Sequence, residues 1–222
     1  TDFAYIVDGH QQNVSLFGDT NLGGGLIDEL ILSRAMAASR DQKALEAVFE
    51  ESPAWRSYCE LEARRLKESY FLDEEKWAEA PLCRTLTVCY DEPLALELSI
   101  GGASIRKMVE QPIPALGGRS FVGCLKDALC AAVEVSRSCP PEVVILTGGA
   151  SRMAFFQQAC REAFADALVV LCPEPECSIA RGLAYAGRVD ERLKTFRQEV
   201  ASIAHGEKLS VAVNASAHEL YE

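Results

Sequence analysis

An α/β fold, in which strands feed helices through glycine turns, is the class this sequence predicts, and three observations carry it. Val143-Val144-Ile145-Leu146 is a β-branched apolar run that follows Pro140-Pro141 and ends at Thr147-Gly148-Gly149. Ala167-Leu168-Val169-Val170-Leu171-Cys172 repeats the pattern after a helical stretch that runs from Arg152 through Phe164. Arg84–Tyr90 and Leu94–Ile100 read as a strand pair turned at Asp91-Glu92-Pro93. A strand that ends in glycines before a helix is where an open α/β sheet presents a ligand, because a flat or anionic group can approach backbone N–H groups that carry no Cβ.

Taken in order, Phe3–Val7 and Asn13–Phe17 flank the turn residues Asp8-Gly9-His10 and predict a β-hairpin. Gly23-Gly24-Gly25 precedes Ile27, Leu30, Ile31 and Met36 at helical spacing, so the backbone there is expected to lie close to another group. Asp41–Leu72 is helical throughout, with Trp55, Cys59, Ala63, Leu66 and Tyr70 as the apolar stripe and charges such as Glu62 on a solvated face. Ile105–Glu110 begins a helix that Pro112 and Pro114 stop, and Phe121–Val135 forms the next one. The two apolar runs, Val143–Leu146 and Ala167–Cys172, are expected to be buried strands. Gly-Gly-Ala-Ser occurs at Gly101–Ser104 and at Gly148–Ser151; the second alone is taken as significant, and the first as coincidence. After the helix that starts at Cys177, residues 189–222 continue as a charged helical tail.

The 222 residues suffice for a sizeable core, and 49% hydrophobic with 25% charged residues is ordinary globular composition. A net charge of −11 without a basic cluster argues against nucleic acid and anionic membranes as partners. The nine cysteines lack CxxC spacing and point to unpaired thiols in a reducing, cytoplasmic setting rather than to zinc or disulfides. There is no phosphate loop of the GxxxxGK[ST] type, no HExxH and no GxSxG elbow, and His10, His205 and His218 lie in polar, turn-like stretches. No membrane-spanning run or signal peptide is present in the 222 residues.

Gly18-Asp19-Thr20-Asn21-Leu22-Gly23-Gly24, the charged helix around Lys67, Leu146-Thr147-Gly148-Gly149-Ala150-Ser151-Arg152-Met153 and Pro175-Glu176 through Gly182 keep one order and spacing. Together they resemble the second lobe of the nucleotide-binding domain of the seventy-kilodalton heat-shock chaperone family, within the actin-like ATPase superfamily. The resemblance implies an actin-like, ribonuclease H-like lobe: a mixed sheet flanked by helices (residues 1–24 and 102–188), an inserted α+β subdomain (25–101) and a tail (189–222). It implies ATP or ADP, with magnesium in the whole protein, held between two lobes. Gly148, Gly149, Ala150, Arg152 and Glu176 would line the adenosine side, the glycine turn and its arginine facing the adenine and α-phosphate, with Arg64 and Lys67 reaching the ribose and base from the inserted helix. The implied partners are a first lobe, and a client or nucleotide-exchange protein.

The chain departs from that family at Ala150, where a hydroxyl residue is usual, and at Glu174-Pro175-Glu176-Cys177, which replaces Asn-Pro-Asp-Glu. In one register Arg64 replaces the acidic ribose contact and Glu68 the stacking arginine; a shifted register places Glu62 at the acidic position. The family's phosphate loop and catalytic lysine would precede Thr1, so the resemblance implies a piece of a longer ATPase that does not hydrolyse ATP alone. A non-enzymatic binding module on the same fold and an actin-like filament or cell-shape protein are the alternatives.

Overall fold

A computed structural model describes residues 3–7, 10–11, 22–89 and 92–202. The chain is a mixed α/β protein. Its residues through Ser178 form one compact unit, and those from Ile179 a second.

The first unit begins with β1 (Ile6–Val7) paired antiparallel to β2 (His10–Gln11). The hairpin is therefore tighter than expected: Val7 pairs with His10, and the expected second strand, Asn13–Phe17, lies outside the described residues. The Tyr5 hydroxyl donates to the Cys139 carbonyl and ties Tyr5 to the segment before Pro140-Pro141.

Three helices follow, α1 (Gly24–Ala38), α2 (Gln42–Glu51) and α3 (Pro53–Leu72). The single helical run expected over Asp41–Leu72 is broken at Ser52, whose backbone is extended (φ −135°, ψ 92°). Pro53 is the cause: the residue before a proline is pushed out of the helical region, and proline itself suits a helix start. Cys59, Ala63, Leu66 and Tyr70 of the expected stripe are buried and Trp55 is half-buried. Glu62 and Lys67 are buried too, so the solvated face expected for Glu62 is corrected: this carboxylate is held between Arg65 and Arg84.

β3 (Leu82–Val88) and β4 (Leu94–Ile100) pair antiparallel from Leu82–Ile100 to Val88–Leu94, and Leu86, Val88, Leu96, Leu98 and Ile100 lie inward. The period-two burial is that of a sheet with one covered face, and α1 and α3 pack on β4. Next come α4 (Gly102–Glu110) and α5 (Phe121–Val135), the latter capped by the Ser120 hydroxyl, which accepts from the Gly123 amide at 3.0 Å.

β5 (Val143–Leu146), a 3-10 turn over Gly149–Arg152, α6 (Ala154–Ala163) and β6 (Leu168–Leu171) complete a strand–helix–strand unit. The strands run parallel with Val143 opposite Leu168, which requires the crossover that α6 supplies. One expectation is corrected here. The strands are not buried on both faces: Val143, Ile145, Leu168 and Val170 stand on an exposed face. The described strands make three two-stranded sheets, and β5 has β6 as its only partner among the described residues.

One apolar cluster runs through α1, α3, β3, β4, α4, α5 and α6, crossing both segments expected as core and insertion. Phe155 of α6 meets Phe71 of α3 and Phe121 of α5 edge to face, with centroids 6.5 and 5.9 Å away. Such pairs contribute about 0.5–1.5 kcal/mol each beyond burial, and these two set α6, and the turn that opens it, against α3. The second unit contains most of α7 (Ser178–Ser202), whose Ile179, Leu183, Leu193 and Phe196 are exposed. Among the described residues no helix is long and apolar enough to cross a membrane.

Candidate functional site

Both Gly-Gly-Ala-Ser sequences join a strand to a helix, so treating the first as coincidence is corrected: β4 runs through Gly101 into α4 just as β5 runs through Gly148 toward α6. What separates them is what the glycines face. A side chain at Gly101 would begin 3.2 Å from the Pro81 ring, and one at Gly102 would begin 3.6 Å from the Tyr70 hydroxyl, so the first pair serves internal packing. Gly148 adopts φ +79°, a conformation that favours glycine, and no atom lies within 4 Å of where its side chain would begin. Gly148 thus opens onto space, while Gly149 faces the Glu176 Cβ at 4.0 Å.

The second turn is held firmly. The Gly148 N–H donates to the Pro175 carbonyl at 2.6 Å, and the Ser151 N–H and hydroxyl both donate to the Gly148 carbonyl, at 3.0 and 2.7 Å. The Gln157 amide donates to the Ser151 and Arg152 carbonyls at 3.0 and 3.2 Å. Sequence reasoning quoted Ser151 and Pro175 within motifs without giving them a role in holding the turn, and it missed Gln157, for which the sequence carries no signal. These bonds also correct the expectation that both glycine amides face a ligand. Gly148 N–H is used by Pro175, whereas Gly149 and Ala150 precede Ser151, the first donor within the turn.

Arg152 projects from this turn toward Glu176. Its Nε and Nη2 donate to the two carboxylate oxygens at 3.1 and 3.0 Å, a bidentate pair. The pairing holds the Glu176 carboxyl below its ordinary value and raises Arg152, to which the nearby Glu174 adds. Five of the expected site residues, Gly148, Gly149, Ala150, Arg152 and Glu176, are thus brought together by β5, the 3-10 turn and the Pro175 loop. The planar guanidinium remains partly exposed and is the group best suited to a flat ring.

Lys67 and Arg64 belong to other contacts. Lys67 Nζ lies 2.7 Å from Asp28 Oδ1 and donates to the Gly24 carbonyl at 2.8 Å, all in the interior between α1 and α3. Burial raises the Asp28 carboxyl, and Lys67 pulls it back part of the way. The close approach expected at the three glycines is this ammonium: a side chain at Gly24 would begin 2.9 Å from Nζ, while Gly23 and Gly25 face open space. Arg64 is exposed and pairs with Glu68 at 2.9 Å. It edges a groove of about 440 Å³ between α1 and α3, lined also by Arg56, Ser57, Glu29, Glu60 and Leu61. Arg56 is itself paired with Glu60 at 2.8 Å, so the groove is polar and neutralised from within.

α3 packs against the Gly149–Arg152 turn, so the helix carrying Lys67 does adjoin it. All nine cysteines are unpaired, and no three of the His, Cys, Asp and Glu residues gather as a metal site among the described residues. No family model, curated protein or solved structure matches the chain.

Proposed function

We propose that this chain is the second lobe of an actin-like, chaperone-type nucleotide-binding domain, and that its Gly148–Arg152 turn receives the adenosine end of ATP or ADP. The observation that carries the reading is the contrast between Gly101, where a side chain would begin 3.2 Å from the Pro81 ring, and Gly148, which at positive φ opens beside a planar cation. Gly149 and Ala150 would meet the ring edge-on, Arg152 would stack on it, and Glu176 would hold the arginine in plane. The nucleotide supplies a phosphoanhydride whose cleavage drives a chaperone cycle. This chain's own residues bind and orient the base, and hydrolysis belongs to a first lobe.

Two of the seven expected residues play another part. Lys67 is a buried structural cation that fixes α1 to α3, and Arg64 is paired with Glu68 at the edge of the groove between these helices. Because all three cations expected at the nucleotide are already matched by carboxylates of this chain, a second reading also has support: a binding module on the same fold with no ATPase role. In either case the protein acts in the cytoplasm and its partner is a protein, whether first lobe, client or exchange factor.

Calorimetric titration with ADP of the full chain, and of the longer polypeptide containing it, separates these readings from an unrelated fold. Saturable binding that Arg152→Ala abolishes is the expected result, with hydrolysis confined to the longer polypeptide. Binding without hydrolysis in both favours the module, and heat signals unaffected by Arg152→Ala remove Arg152 from the site.

A further inference from the structure

Along α7, Ile179, Ala186, Leu193 and Val200 repeat every seven residues, and Gly182, Val189 and Phe196 each fall three residues after one of them. Alternating steps of three and four, kept through three heptads, are the seam of a coiled coil, whose apolar side chains need a facing helix to cover them. Here Ile179, Leu193, Phe196 and Val200 are exposed and Val189 is half-buried. We propose that the facing helix is α7 of a second copy of this chain, running antiparallel, and that this pairing makes the protein a homodimer with or without nucleotide.

Shape and charge both select a second copy. The large seam residues, Val189, Leu193, Phe196 and Val200, lie symmetrically about the point between Lys194 and Thr195. An antiparallel pair centred there seats Leu193 on Phe196, and Val189 on Val200, of the second copy, so the stripe is complementary to itself. Asp190 and Arg197 each stand one residue after a seam residue. Such positions face one another across an antiparallel pair, which brings Asp190 against Arg197 of the second copy at both ends. In a parallel pair Arg197 instead meets Arg192, which stands one residue before Leu193, and like charges are juxtaposed twice. Arg197 is exposed, and its helical neighbours three and four residues away, Leu193, Lys194, Val200 and Ala201, offer it no carboxylate. Asp190 pairs with Lys194 at 2.6 Å, but both side chains are more than half exposed, so that pair gives way at little cost.

Sedimentation equilibrium of the full chain without nucleotide, over about 10 to 500 µM, is the test, because so short a seam binds weakly. A concentration-dependent rise from one chain toward two is expected. Leu193→Ser together with Phe196→Ser is expected to leave a monomer throughout, with circular dichroism confirming that the chain still folds. Arg197→Glu keeps the apolar seam and is expected to weaken the dimer by about three- to tenfold, and Asp190→Arg combined with Arg197→Glu to recover most of that loss. A wild-type chain that stays monomeric at every concentration overturns the proposal. So does a dimer that the two serine substitutions leave unchanged, since the contact would then lie elsewhere. Tightening by Arg197→Glu overturns the antiparallel direction, and assemblies larger than two chains overturn the self-complementary pair. The adenosine reading is measured by nucleoside binding and stands or falls separately.

Discussion

Replacing Lys67 by methionine asks whether its cation serves the fold or a ligand. The substitution keeps the apolar stem and removes the ammonium, which lies 2.7 Å from Asp28 Oδ1 and donates to the Gly24 carbonyl at 2.8 Å. Breaking a buried pair from one side costs roughly 3–5 kcal/mol, because the remaining charge stays in the interior. Asp28 has one way out, which is to take up a proton, and burial already raises its carboxyl. We therefore place the loss for Lys67→Met at about 3 kcal/mol at neutral pH, a large part of a typical folding stability of about 5–15 kcal/mol.

The sign of the pH dependence follows. Asp28 holds its proton more tightly in the folded variant than in the unfolded chain, so the variant's stability rises as pH falls from neutral toward the ordinary value of 3.8. The gap from wild type narrows by at most about 1.4 kcal/mol per pH unit. Asp28→Leu combined with Lys67→Met recovers most of the loss, since an apolar pair of similar volume leaves no charge behind. Urea denaturation followed by circular dichroism, at neutral and mildly acidic pH, measures all three variants. A Lys67→Met protein within about 0.5 kcal/mol of wild type, or a loss that does not change with pH, would refute the structural role.

Two further outcomes follow from buried groups. Burial alone would raise the Glu62 carboxyl, but hydrogen bonds from Arg84 and then Arg65 outweigh it and leave it below its ordinary 4.5; its contribution is present above that value and is lost as pH falls through the lower, folded value. Glu62→Gln is expected to cost about 1–3 kcal/mol at neutral pH and to blunt the acid limb of a melting-temperature profile, whereas unchanged melting at neutral pH contradicts this. Burial pushes the Cys59 and Cys160 thiols up to about 11, while Cys83, Cys130, Cys139 and Cys177 are exposed. Alkylation of the native protein read by mass spectrometry should therefore modify the exposed four first, and equal rates at Cys59 and Cys177 would argue against the packing around α3.

The strand–turn–helix–strand order around Gly148 was legible because β-branched runs bounded by glycine and proline carry a strong local signal. The break at Ser52 was legible as well, in Pro53, yet the continuous helical stripe hid it. What was not legible is which charges are buried. Lys67 and Glu62 sit among other charges on α3, and their burial depends on Asp28, Gly24 and Arg84, which are distant in sequence. Nor does a sequence distinguish one Gly-Gly-Ala-Ser from another, because Pro81 and Tyr70 close the first only through tertiary packing. The open face of β5 and β6 was missed for a related reason: a continuous apolar run fits burial on one face or on two.

The most direct measurement is an amide-resolved NMR titration of the full chain with adenosine, carried to millimolar concentration because half of an interlobe site binds weakly. Shifts at Gly149, Ala150, Arg152 and Glu176, lost in Arg152→Ala, are predicted. Shifts confined to Glu29, Arg56 and Glu60 in the groove between α1 and α3, or none at any concentration, would contradict the assignment of the turn to a nucleoside.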